Sequence, residues 1–253
     1  MSFRKATITK NNFCSILKDS MVLYEMSRDA KDSFTKDILS RQSILSTCFA
    51  LEAVANSLLE MLPRKDRDDS EIERKPTLSK LAHVVFECSG NKIDSNSKEY
   101  DAISKLIKLR DAMAHPNVFV KEIEVFTEQG THGIAFNHRE KDDRSPKRKN
   151  YSVKGFLALD CPPNYFDHRD AKTALNMLVD FLNKYVLEWW KIEVKDIEIY
   201  FFDVSDVGLY GDMRMINMKE AEVFNRNSDL FDIKFISAHR LCLSTEIQYL
   251  NTK

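Results

Sequence analysis

Apolar residues along much of this chain recur every three or four positions, the spacing of helices that bury one face. Over 11–34, Phe13, Ile16, Leu17, Met21 and Tyr24 share a face and predict a helix. Over 40–62 the pattern is stronger. Ile44, Cys48, Leu51, Ala55, Leu58 and Leu62 make an alternating three-four stripe suited to packing against neighbouring helices at a shallow angle. Beside it runs a second stripe, Phe49, Glu52, Asn56 and Leu59, with two polar members. Between Pro63 and Pro76 ten ionisable residues of both signs read as a solvated loop. Thr77 to Glu87 then predicts a short helix with Leu78, Leu81, Ala82, Val85 and Phe86 inward and His83 off that face, ended by Ser89-Gly90-Asn91. From 97 to 116, Tyr100, Ile103, Leu106, Ile107 and Met113 with Ala114 form another stripe, with Asn96 and Ser97 as capping residues. A last long helix starts at Asp167 or Asp170 and runs to about Trp190, carrying Ala171, Ala174, Leu175, Leu178, Phe181, Leu182, Tyr185 and Trp189.

The period changes after Pro116. Val118 to Phe126 is rich in β-branched and aromatic residues, Gln129-Gly130-Thr131-His132-Gly133 is a turn signal, and Ile134-Ala135-Phe136 resumes the strand character. This predicts a β-hairpin. A polar loop over 138–150 ends in the basic run Lys147-Arg148-Lys149, and Tyr151 to Leu159 reads as a further strand. The organisation expected is a helical domain over 1–192, interrupted at about 117–165 by a β-rich insertion, and an extension over 193–253. In the extension, Glu198 to Val204 has strand composition, Met218 to Asn225 reads as a short helix, and Leu230 to Leu243 alternates loosely. The fold class is mainly α, a helical bundle with a β-rich insertion and a small C-terminal α/β or β extension.

Composition narrows this. Only 6 Gly and 6 Pro in 253 residues favour helices over a turn-rich β fold. A net charge of −1 argues against a broad nucleic-acid coat while leaving room for a local basic patch. The five cysteines, Cys14, Cys48, Cys88, Cys161 and Cys242, stand far apart, so a disulfide framework or zinc site is not expected. With no leader-like N-terminus and no membrane-length apolar run, a cytoplasmic protein is expected. No Gly-rich phosphate loop or Gly-x-Ser-x-Gly elbow is present, and neither cofactor nor metal is expected.

The distinctive chemistry lies at the end of the 97–116 helix. Arg110 falls on its apolar stripe, seven residues after Ile103 and three after Ile107. A guanidinium on such a face needs a partner, because its charge cannot be removed. His115 follows five residues on, and Pro116 disfavours helical geometry there. Both are also residue types that complement a helix C-terminus. Glu52 is either a partner for Arg110 or His115 or part of a solvated helix edge. His168 is either a second histidine near the site or a surface residue. Lys147, Arg148 and Lys149 can clamp a nucleic-acid backbone, or form only a surface loop.

Arg110-Asp111-Ala112-Met113-Ala114-His115 resembles the signature of the HEPN superfamily: arginine, a polar residue, then a histidine a few positions later at a helix end in an all-α bundle. Leu51-Glu52-Ala53-Val54-Ala55-Asn56 resembles the acidic-then-amide pattern of that family's second helix. The resemblance covers 10–62, 97–116 and 168–191, and does not extend to 117–165 or 193–253. It implies a metal-independent endoribonuclease acting from a composite cleft between two protomers, in a toxin, phage-defence or RNA-processing setting. It implies catalytic roles for Arg110 and His115, supporting roles for Asp111, Glu52 and Asn56, and as partners RNA, a second copy and an antitoxin or regulatory protein. Non-catalytic members exist, so the same resemblance also admits a dimerisation or ligand-binding module. An Arg/His pair of purely structural use is a third reading.

Overall fold

The first amphipathic stretch folds as α1, Phe13–Asp29, with Phe13, Leu17, Met21 and Tyr24 buried. The computed structural model describes residues 8–9, 11–60, 62–63, 69–72, 74–114, 166–197, 200–201, 204–206, 212–214 and 218–236. The second helix, α2, spans Ser33–Leu59 and starts well before the expected residue 40. Its start is set by Asp32, whose carboxylate accepts the Thr35 N–H at 2.8 Å. The added turns escape periodicity because their apolar side chains, Phe34 and Ile38, face solvent.

α1 and α2 pair through hydroxyls as well as hydrocarbon. Ser20, Ser27, Ser40, Ser43 and Thr47 are all buried. Ser20 Oγ donates to the Ser43 carbonyl at 2.9 Å, and Ser43 Oγ donates back to the Ser20 carbonyl at 2.8 Å. Thr47 Oγ1 lies 2.6 Å from Ser20 Oγ, and Ser27 and Ser40 meet at 2.6 Å. Each group thereby recovers in the interior the hydrogen bonding it gives up in water.

A four-residue helix, α3 (Asp69–Ile72), buries Ile72 within the charged stretch. α4, Thr77–Ser89, ends at Gly90 with φ 71°, the left-handed cap that a residue without Cβ adopts freely. Its buried face runs through Leu78, Leu81, Val84 and Val85, and Phe86, expected inside, is 52% exposed. α5 covers Lys98–Ala114, and Ser97 Oγ accepts the Tyr100 N–H at 3.2 Å at its start. α6, His168–Lys184, opens with a capping box in which both expected acids act: Asp167 as the cap and Asp170 reaching back to the Asp167 N–H. Its apolar stripe is buried throughout, and the helix widens into π-type turns over Tyr185–Trp190.

After α7, Val194–Ile197, the chain turns at Tyr200 and Phe201 where a strand was expected, and Phe201 is buried. β1 (Ile8–Thr9), β2 (Val204–Asp206) and β3 (Asp212–Arg214) form an antiparallel sheet in that order, with Ile8 opposite Ser205 and Val204 opposite Arg214. α8, Met218–Phe231, packs on α1 and α6 and takes up Leu230–Phe231, which alternation had suggested as strand. The β-rich insertion expected at 117–165 lies outside the described residues.

α2 is the axis of the bundle, in contact with α1, α4, α5 and α6. Ile44, Leu51, Val54 and Leu58 from α2 lie in one continuous core with Ile103 and Leu106 of α5 and Leu175, Leu178 and Phe181 of α6. The same core takes in Phe201, Phe224 and Phe235, with the Phe201 ring 5.2 Å from Phe13 and 5.8 Å from Phe235. Because α2 and α5 are both held on this core, the exposed edge of one faces the polar edge of the other. Among the described residues no helix is long and apolar enough to cross a membrane.

Candidate functional site

Ile103, Leu106 and Leu109 form the buried line of α5, which places Arg110 at the edge of the buried face, with 21% of its side chain exposed. There the guanidinium meets α2. Nη1 lies 2.5 Å from Glu52 Oε1, and Nε lies 2.9 Å from Asp111 Oδ1 on the next residue of α5. The Nε–H is buried and not aimed well enough at that oxygen to form a hydrogen bond. The Glu52 pair supplies the partner that a partly desolvated arginine requires, and a charge-assisted contact of this kind contributes about 2 kcal/mol.

One turn before Glu52, Cys48 is buried and its thiol lies 3.8 Å from the Leu106 carbonyl. Burial pushes that thiol up to about 12 against the opposing pull of Arg110, so it stays protonated at neutral pH. It is packing beneath the ion pair and not a nucleophile.

The ion pair forms part of the wall of a cleft of about 570 Å³. Glu52 and Asn56 of α2 make one side, and Tyr100, Ser104, Ile107, Lys108, Arg110 and Asp111 of α5 make another. Lys75, Pro76 and the first turn of α4, Thr77 to Lys80, complete it. Lys80 Nζ donates to Asn56 Oδ1 at 2.8 Å and so fixes the amide expected from the α2 pattern. Pro76, at the N-cap of α4, offers no side-chain acceptor to the first turn, whose partial positive charge lies at this end of the cleft.

Four of the residues singled out in the sequence, Glu52, Asn56, Arg110 and Asp111, thus gather in one place from two helices. His115, Lys147, Arg148 and Lys149 lie outside the described residues. His168 begins α6 and is not among the residues lining the cleft. His83 sits part-buried on α4, 3.8 Å from Glu87, and likewise does not line it. Among the described residues no three His, Cys, Asp or Glu side chains converge so as to hold a metal ion.

Three lysines outside the motif complete the lining. Lys75, Lys80 and Lys108 all line the cleft. Lys108 was open to discovery, since Tyr100, Ser104, Ile107, Lys108 and Asp111 follow helical spacing along the flank of Arg110. Lys75 and Lys80 were not, because their place depends on how α4 docks against α2. Comparison of the chain with protein-family models, with curated proteins and with solved structures returns no match.

Proposed function

We propose that the protein is a metal-independent endoribonuclease of HEPN type that works from a cleft shared by two protomers, in a toxin or phage-defence setting. The observation that carries this is the Arg110 guanidinium, clamped by Glu52 at 2.5 Å in the wall of a solvent-open, lysine-bearing cleft five residues before His115. In the reaction a base removes the proton of a ribose 2′-OH. The oxygen attacks the adjacent phosphorus, the bond to the 5′-oxygen breaks, and that oxygen is protonated as it leaves. The products are a 2′,3′-cyclic phosphate and a 5′-hydroxyl. An imidazole suits both proton transfers near neutral pH, and a fixed guanidinium suits the charge that builds on the phosphoryl oxygens. His115 is assigned the proton transfers and Arg110 the phosphate, with Glu52 and Asp111 holding the guanidinium.

One chain offers one such histidine on this helix, so proton transfer on both sides of the phosphorus calls for a second copy. The outer edge of α2 supports that pairing. Ile38, Gln42, Leu45, Phe49, Glu52 and Asn56 alternate at steps of three and four, all exposed or half-buried, and Phe49 is 46% exposed one turn from Glu52.

The test is incubation of mixed single-stranded RNAs with the purified protein in the presence of a chelator. Cleavage with cyclic-phosphate ends is expected, and Arg110→Ala or His115→Ala each abolishes it while the melting profile and oligomeric state hold. Cleavage undiminished in both variants would sink the assignment. A second reading has its own support: Arg110 already faces two carboxylates, an arrangement that also serves a non-catalytic HEPN-like dimerisation or ligand-binding module. In that case the wild-type protein leaves every RNA intact.

A further inference from the structure

We propose that the cleft beside Arg110 seats a single-stranded segment of RNA, with its phosphates on Lys75, Lys80 and Lys108 and one base lying on the ring of Tyr100. The identity of the polymer rests on the endoribonuclease reading above; the cleft's preference for a flexible polyanion rests on its own residues.

Charge is the first argument. The chain as a whole carries −1, yet the cleft is lined by four cations, Lys75, Lys80, Lys108 and Arg110, against the two carboxylates Glu52 and Asp111. Both carboxylates are engaged with Arg110. Lys80 bonds a neutral amide, that of Asn56, and neither Lys75 nor Lys108 meets a carboxylate among the described residues. Lys75 from the loop ahead of α4, Lys80 from α4 and Lys108 from α5 thus line one concavity whose lining carries a net charge of +2, four cations against two carboxylates, a balance that favours a ligand bearing several negative charges.

Shape and polarity are the second. Tyr100 and Ile107, half-buried and packed against the core on one side, add apolar surface to the α5 side of the cleft. A strand with unpaired bases can lay a base on that ring while its backbone follows the ammonium groups, the combination by which single strands are held without sequence reading. A duplex keeps its bases stacked inside and offers only its grooves and phosphates, so it cannot use the ring.

The experiment measures binding to His115→Ala protein, in which cleavage is blocked, using a dye-labelled uridine oligomer, its length-matched RNA duplex and a series of salt concentrations. The single strand is expected to bind the more tightly. Lys80→Gln, which keeps a donor for Asn56, and Lys108→Gln are each expected to flatten the dependence of log Kd on log salt by about 0.7. Tyr100→Leu is expected to weaken binding about tenfold, whereas Tyr100→Phe retains it. Melting curves matching the parent show that these variants fold. Equal binding of duplex and single strand, or unchanged binding in all three variants, overturns the proposal. Cleavage by the wild type with KM indifferent to these lysines overturns it while the nuclease reading stands. Binding through the cleft without any cleavage supports it and removes the nuclease reading; absence of both removes both.

Discussion

The guanidinium of Arg110 cannot lose its charge, so its surroundings must answer it, and Glu52 does so at 2.5 Å. Removing one partner is worse than removing both. Glu52→Ala is therefore expected to destabilise the fold by about 2 kcal/mol and to weaken any catalysis by freeing the guanidinium. Arg110→Met in the Glu52→Ala background is expected to restore much of the stability and none of the activity. Chemical denaturation of the two single variants and the double variant gives the coupling directly, and additivity would show that the contact carries no energy. Cys48 supports the pair from below. With its thiol pushed up to about 12, it is expected to resist alkylation at pH 8 in the native protein, while exposed Cys88 reacts; mass spectrometry of the labelled peptides reads this. The pairing of Arg110 with Glu52 was legible as one of two readings, because an arginine at the edge of an apolar stripe demands an anion and the neighbouring helix offered one. Lys80 was not, because nothing along the chain ties the first turn of α4 to Asn56.

Helix existence was legible wherever one face was apolar, and helix boundaries were legible where a cap could be named. Asp167 with Asp170, Ser97 and Gly90 all act at the ends their types suggest. The early start of α2 was hidden because Phe34 and Ile38 point outward and break the pattern. Phe86 failed for a related reason: hydrophobicity alone does not fix which way a helical stripe is turned, and the buried face runs through Leu81, Val84 and Val85, leaving Phe86 about 100° beyond Val85 on the solvent side. The serine and threonine seam between α1 and α2 reads as polar in sequence yet is interior. Ser20→Ala is expected to lower stability by about 1–2 kcal/mol, since it removes a buried donor to the Ser43 carbonyl and the 2.6 Å contact with Thr47. Asp167→Ala, at a cap whose carboxylate is mostly buried, is expected to lower it by about 1 kcal/mol. Parallel urea titrations of both variants check the order, and a larger loss for Asp167→Ala would place the energetic weight on the cap instead of the seam.

At the scale of the whole molecule, the C-terminal segment is tied to the bundle by a shared core, by an ion pair and by Asn183 of α6, which donates to the Asp232 carbonyl at 2.9 Å and accepts the Lys234 N–H at 2.8 Å. Phe224 and Phe235 belong to the core that holds α1, α2 and α6, and Arg226 of α8 reaches Glu25 of α1, with Nε 2.7 Å from Oε1 and Asn227 also at 2.7 Å. Sequence alternation over 230–243 gave no hint of this, because the contact joins residues about two hundred positions apart. The pair makes a pH prediction with a definite sign. Burial pushes the Glu25 carboxyl up, but the hydrogen bonds from Arg226 and Asn227 outweigh it and hold the group below its ordinary 4.5. A carboxyl depressed in the folded state contributes stability that is fully present above 4.5 and disappears as pH falls through the folded value. Glu25→Gln is thus expected to be less stable than wild type at neutral pH, by about 1 kcal/mol given how exposed Arg226 is. The gap should close steadily as the medium is acidified below 4.5. Other carboxyls titrate in the same range, Glu99 also depressed and Asp170 and Asp180 raised by burial. They are common to both proteins and cancel in the difference. Melting temperatures of the pair taken from pH 7 down to pH 3 isolate Glu25, and a gap that stays constant across that range would show that the ionised carboxylate does not stabilise the contact between α1 and α8.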